Sequence, residues 1–150
     1  MINQSDELDI RKDFPNEHGE DKQDKNPLFQ PHPIADLNLT SKVFDLLQYM
    51  LKTKRVIKGL NEVIKSVSKN EVEIVIMASN TNPLALLSPI PNLCDENSVP
   101  YIYVISAAAL GRACGIKRPV VCCAIKIGEG QNEQVQINLL KDKIERLTFS

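Results

Sequence analysis

Glu73-Ile-Val-Ile-Met-Ala78 contains an unbroken apolar run that opens with three β-branched side chains. Such residues suit extended backbone, and a strand without a polar face needs cover on both sides. A sheet with one wet face is therefore excluded here, and two covering layers are required. Tyr101-Ile-Tyr-Val-Ile105 and Val120 to Ile127 predict two further strands, and Arg55-Val-Ile57 a short one at most. The segments between them have helical spacing. Val43, Leu46, Leu47, Met50 and Leu51 recur at i, i+3, i+4, i+7 and i+8, with Thr40 or Ser41 as the expected cap. Asn82 before Pro83 reads as a helix cap with proline in the first turn. Pro89 and Pro91 read as a break before a short helix from Asn92 to Asn97. Ala107 to Cys114 reads as a helix stopped by Gly115. A last helix, Asn132 to Leu147, is expected to bury Val135, Leu139, Leu140, Ile144 and Leu147. Strands alternating with helices predict an α/β fold, a three-layer α/β/α sandwich around a central mixed sheet of about four strands.

A chain of 150 residues suits one domain with a sizeable core. The net charge of −1 hides an asymmetry. Residues 1–26 hold eight acids and four bases, a net of −4, which leaves +3 for residues 27–150. The first 26 residues lack apolar periodicity and are expected to form an acidic disordered tail. Pro27, Pro31 and Pro33 then make an extended entry into the domain. Six bases fall between Lys52 and Lys69, a concentration that suits an anionic partner. No apolar stretch approaches the length of a membrane span. Cys94, Cys114, Cys122 and Cys123 show no C-x-x-C spacing, and His18 and His32 lie in the N-terminal region. Reduced, buried thiols are expected, with no metal.

Lys58-Gly-Leu-Asn-Glu-Val-Ile-Lys65 carries two surfaces. At about 100° per residue, Leu60, Val63, Ile64 and Val67 share one stripe, and Lys58, Asn61, Glu62, Lys65 and Lys69 the other. A polar helix face that is merely solvated is the competing reading. Gly59 allows close backbone approach, the lysines attract phosphate, and Asn with Glu can bond base edges. In Gly115-Ile-Lys-Arg-Pro-Val-Val121 a basic pair, Lys117 and Arg118, sits between apolar residues. Ile116 and Val121 there can support a base taken out of its stack.

Catalytic signatures are weak. Gly128-Glu-Gly130 follows a strand but lacks the third glycine of a dinucleotide loop and the lysine-serine ending of a P-loop. Cys114 lies near Arg112 without a neighbouring histidine base. A non-enzyme without a cofactor is expected.

Lys58–Lys65, Val99-Pro-Tyr-Ile-Tyr-Val104 and Leu110-Gly-Arg-Ala-Cys-Gly-Ile-Lys-Arg-Pro-Val120 together resemble the kink-turn-binding ribosomal-protein family (L7Ae-type). Leu110–Gly115 and Pro33-Ile-Ala-Asp36 are most similar to its branch shared by the U4 small nuclear and box C/D small nucleolar ribonucleoproteins. The resemblance covers about residues 27–149. It implies an α/β/α domain binding a kink-turn, a sharply bent RNA with tandem sheared G·A pairs, in U4 small nuclear RNA and box C/D small nucleolar RNAs. It further implies partners of the Prp31 and Nop56/Nop58 types, with fibrillarin in the same particle. A nuclear and nucleolar location is implied, with roles in splicing and rRNA processing including 2′-O-methylation. The implied RNA-binding residues are Lys58, Gly59, Asn61, Glu62, Lys65, Asn82, Leu86, Ile116, Arg118 and Val121. Leu86 and Val121 would line the pocket for a flipped-out nucleotide. Asn82 stands where the family branch has glutamate, Ala107 where it has lysine, and Ile57 where it has a base. Alternatives are an H/ACA or ribosomal relative of the same fold, or a protein–protein adaptor with weakened RNA binding. The domain is expected to be monomeric alone.

Overall fold

The computed structural model describes residues 30–149, so the expected tail lies outside the described residues. In chain order these form α1 (Leu37–Lys52), β1 (Val56–Lys58), α2 (Leu60–Ser68), β2 (Val72–Ala78), a 3-10 turn (Leu84–Leu87), α3 (Pro89–Glu96), β3 (Tyr101–Val104), α4 (Ala107–Ala113), β4 (Cys122–Lys126) and α5 (Gln131–Thr148). The sheet order is β1-β4-β2-β3. Strand β4 is antiparallel to both neighbours, while β2 and β3 are parallel, so the sheet is mixed.

Every residue of β2 is buried, as a strand without a polar face requires. Alternate side chains feed two cores. Ile74, Ile76 and Ala78 join residues of α1, α4 and α5 on one face. Val75 and Met77 join Val63 and Val67 of α2, Leu87, and Ile90 and Cys94 of α3 on the other. The three layers follow from that alternation. Pro33 to Ala35 runs beside β3, with Tyr103 N donating to Pro33 O at 2.9 Å and Ala35 N to Tyr103 O at 2.8 Å. The entry segment thereby covers a sheet edge. All four cysteines are free and buried. Among the described residues no helix is long and apolar enough to cross a membrane.

Several expectations require correction. The first helix starts at Leu37, because Asp36, not Thr40 or Ser41, is the cap: its Oδ1 accepts from Leu39 N at 2.8 Å. Thr40 is inside the helix, its hydroxyl turned back to Asp36 O at 2.6 Å. Asn82 caps nothing, since the extended Pro83 (φ −78°, ψ 146°) occupies the position before the 3-10 turn. Pro89 and Pro91 open α3 rather than delay it, because first-turn residues need no intrahelical N–H. On α5, Val135 and Leu139 are more than half exposed, and Ile137, Leu140 and Ile144 are the buried residues. Both exposed residues lie about 160–200° around the helix from Ile137.

Asp36→Ala should remove the cap of α1, lowering stability by about 1 kcal/mol in urea denaturation. Ser41→Ala, on an exposed helical position, should stay within about 0.5 kcal/mol.

Candidate nucleic-acid interface

The C-terminal ends of β1, β2 and β3 and the N-terminal end of β4 lie at one end of the sheet. Lys58 pairs with Cys123, Met77 with Cys122, and Ala78 with Val104. The segments leaving or entering these ends carry Gly59 to Glu62, Ser79 to Leu86, Ser106 to Ala107, and Ile116 to Val121. Residues far apart in sequence are thereby gathered on one rim.

Gly59 joins β1 to α2 at φ +101° and ψ 144°, a conformation that strongly favours glycine. Its N–H donates to Cys122 O at 3.0 Å, tying the helix start to the beginning of β4. No side chain caps α2, and among the described residues the N–H groups of Leu60, Asn61 and Glu62 have no acceptor. The first turn is therefore an open donor surface with a partial positive charge. Asn61 and Glu62 are exposed on that same turn. Glu62 and Lys65 pair at 3.7 Å with side chains 64% and 68% exposed, a contact weak enough to be exchanged for a ligand.

The polar stripe is shorter than its sequence suggests. Lys58 belongs to β1, not to the helix. Its positive charge acts on the Cys114 and Cys123 thiols of the α4-side core. Cys114 is shifted down, first by its hydrogen bond with Cys123, with burial opposing and Lys58 assisting. Cys123 is shifted up by that same bond and by burial. Lys69 is the C-cap residue at the other end of α2, about 12 Å along the axis from Asn61.

Glycine at position 111 inside α4 fixes the second rim segment. A Cβ there would stand 2.0 Å from the carbonyl oxygen of Arg118. Ile116 N donates to Gly111 O at 2.9 Å and Val120 N to Ala107 O at 3.0 Å, so the loop is laced to α4 at both ends. Arg118 is exposed on it, Val121 is half-buried between both cores, and Ile116 packs against the α4-side core. Ile116 thus supports the loop from beneath. Leu86 is 50% exposed on the 3-10 turn, and Asn82 is exposed before it. Asn80 Oδ1 accepts from Ala107 N at 2.9 Å, joining that segment to α4.

Sequence reasoning missed Gly111 and Asn80 as positioning residues. A glycine inside a helix, costly relative to alanine, was the available signal for the first; nothing marked Asn80. Ala107 and Ile57, where the resemblance leads one to expect cations, are packing positions. Ala107 is 8% exposed in the α4-side core, and Ile57 packs against the other core.

A family model described as the ribosomal protein L7Ae/L30e/S12e/Gadd45 family matches residues 41–135. The chain belongs to this family. It is 41% identical over 124 residues to NHP2-like protein 1 of Rattus norvegicus, covering 83% of this chain and 95% of that protein. It is 43% identical over 115 residues to the small nuclear ribonucleoprotein associated homolog 13 of Caenorhabditis elegans, covering 77% and 90%. Its fold is similar to that of the Giardia lamblia 15.5kD RNA binding protein, with TM-score 0.74, 27% identity, and coverage of 78% of this chain and 96% of that one.

The two glycines should fail differently. At Gly59 a Cβ meets nothing within 4 Å, so Gly59→Ala should cost about 1–3 kcal/mol through backbone strain alone. Gly111→Ala must push the Arg118 segment off α4 and should cost a similar amount, about 1–3 kcal/mol. Urea denaturation measures both costs. Amide shift changes around 115–121 should appear in Gly111→Ala and be much smaller in Gly59→Ala.

Proposed function

We propose that this protein is a non-catalytic RNA-binding subunit that recognises and stabilises a kink-turn in U4 small nuclear RNA and box C/D small nucleolar RNAs. Its service is to nucleate ribonucleoprotein assembly for splicing and rRNA processing, in the nucleus and nucleolus. The observation that carries the reading is the open, Gly59-initiated first turn of α2, placed on the same rim as the Arg118 loop. Sheared G·A pairs leave guanine N–H donors free, and the carboxylate of Glu62 is an acceptor for them. Asn61 supplies both a donor and an acceptor. The unpartnered helix N–H groups, Lys58 and Lys65 suit the phosphates of a sharply bent backbone. Arg118 serves the same backbone from the second segment, and Leu86 with Val121 offers apolar surface to an extruded nucleotide beside Asn82.

Two similar proteins, one named as RNA-binding and one as associated with a small nuclear ribonucleoprotein, support this reading. In the assembled particles the RNA-bound rim is the platform for Prp31-type or Nop56/Nop58-type proteins, the latter with fibrillarin. A second reading, a protein–protein adaptor with weakened RNA binding, rests on Asn82 and Ala107, where the resemblance leads one to expect charged residues; Ala107 is buried in the α4-side core.

Titration of a U4-type kink-turn RNA separates the readings. Glu62→Ala should weaken binding by roughly 1–3 kcal/mol, and Lys65→Ala should reduce the slope of log K against log salt by about one. Equal affinity of wild type and Glu62→Ala would sink the proposed reading head. Tighter binding of an H/ACA RNA than of the U4-type RNA would assign the protein to that particle instead, and no binding of either would favour the adaptor.

A further inference from the structure

Arg55 is 7% exposed, yet Nη1 and Nη2 of its guanidinium have no hydrogen-bond partner. Two charged donors left dry inside a fold carry a large penalty, and a ligand that accepts from them removes it. The rest of the residue is held firmly. Lys54 takes a left-handed φ of +59° at the end of α1, and Arg55 N then donates to Met50 O at 3.1 Å. Lys126 N donates to Arg55 O at 2.7 Å, and Arg55 Nε donates to Lys126 O at 3.1 Å. Gly128 covers the guanidinium: a Cβ there would stand 2.6 Å from Nε and 3.0 Å from Cζ. The guanidinium fits beneath the chain only because residue 128 has no side chain.

Two residues on, Gly130 opens the 18-residue helix α5 at φ +130° with no side-chain cap. Among the described residues the N–H groups of Gln131, Asn132 and Glu133 have no acceptor. At most about 7 Å of chain separates Gly128 from Gly130, so the open helix start and the unpartnered guanidinium border one turn. Glu133 folds back against Gly130, and its Oε2 accepts from the Tyr49 hydroxyl at 3.5 Å. Segment 69–71 joins the turn through Ile127 N, which donates to Glu71 O at 2.9 Å. Over segments 52–55, 69–71 and 126–133, five cations (Lys52, Lys54, Arg55, Lys69, Lys126) outnumber three acids (Glu71, Glu129, Glu133), so charge there favours an anion. We propose that Arg55 and the start of α5 form a phosphate-binding site. Val56 pairs with Ile125, so this site lies at the end of the sheet away from the Gly59 rim. Its ligand is a phosphate with three free oxygens, inorganic or a terminal monoester. The Nη1–Nη2 fork takes two of them and the helix N–H groups the third. A carboxylate or a phosphodiester has only two free oxygens, too few for both sets of donors. Gly128-Glu-Gly130 lacks the lysine of a P-loop, and the cation comes instead from the end of α1. Entry requires Gly128 to swing off the guanidinium, a motion that the glycines on either side of Glu129 permit.

Titration of the ¹⁵N-labelled full chain with inorganic phosphate at constant ionic strength tests this by ¹H–¹⁵N spectra. The Arg55 Nε–H and the amides of residues 128–133 should shift together and saturate. Acetate, and adenylyl-adenosine, whose one phosphate is a diester, should leave both unmoved at the same concentrations. Adenosine monophosphate separates the two sources. Saturation by it as well as by inorganic phosphate makes the ligand a terminal monoester, and saturation by inorganic phosphate alone makes it the free ion. Arg55→Met should weaken the response of 128–133 at least about tenfold. Lys143→Ala, which removes a cation further along α5, should leave it unchanged. An unmoved Arg55 Nε–H in the wild type would overturn the proposal, whether or not Arg55→Met folds. So would an equal response to acetate or the diester, shifts spread over the exposed lysines, or an undiminished response in folded Arg55→Met.

Discussion

The antiparallel insertion of β4 between β1 and β2 decides where the chemistry of this protein can be. Cys123 lies opposite both Lys58 and Ile76, so the start of β4 meets the ends of its two neighbours. A parallel strand in that place would carry residues 116–121 to the far end of the sheet. Arg118 and Val121 would then be separated from Asn61 and Glu62 by the length of the strands, about 15 Å or more. The hydrogen bonds from Gly59 N to Cys122 O and from Ala78 N to Val121 O complete the join. Together they lock the start of α2 and the end of β2 to one short stretch of chain.

Burial of that stretch is what makes the lock rigid. Cys122 faces the α2-side core and Cys123 the α4-side core, and neither is accessible to solvent. Val121 packs against both. The rim thus rests on side chains that cannot move without opening a core, while Asn61, Glu62 and Arg118 remain in water. A rim built this way has little backbone conformational entropy left to lose when a ligand binds.

What was legible in the chain follows from which residues answer to local rules. β2 was legible because no polar residue interrupts it, and α2 because Val63 and Val67 repeat at helical spacing. The cap at Asp36 was not, because the six residues from Leu37 to Lys42 separate it from Val43, where the apolar repeat begins. The outward faces of Val135 and Leu139 were illegible for a different reason. The apolar residues of α5 form two stripes, and only packing against α1 decides which is buried. At the site, residue types on α2 suggested their chemistry. The positioning role of Gly111 depends on an approach from Arg118 that no local rule contains.

The apolar side chains of Ile57 and Ala107 bear on how charge is distributed along the rim. Each side chain contributes to a core, so a cation at either position would exchange packing for charge. Charge at the rim is therefore left to Lys58, Lys65, Lys117 and Arg118, with the helix N–H groups of Leu60 to Glu62 as uncharged donors. The carboxylate of Glu62 offers hydrogen-bond acceptors beside those donors whatever the number of cations around it. The Lys58-to-Lys65 segment thus places two lysines, an open first turn and the Asn61–Glu62 pair within eight residues.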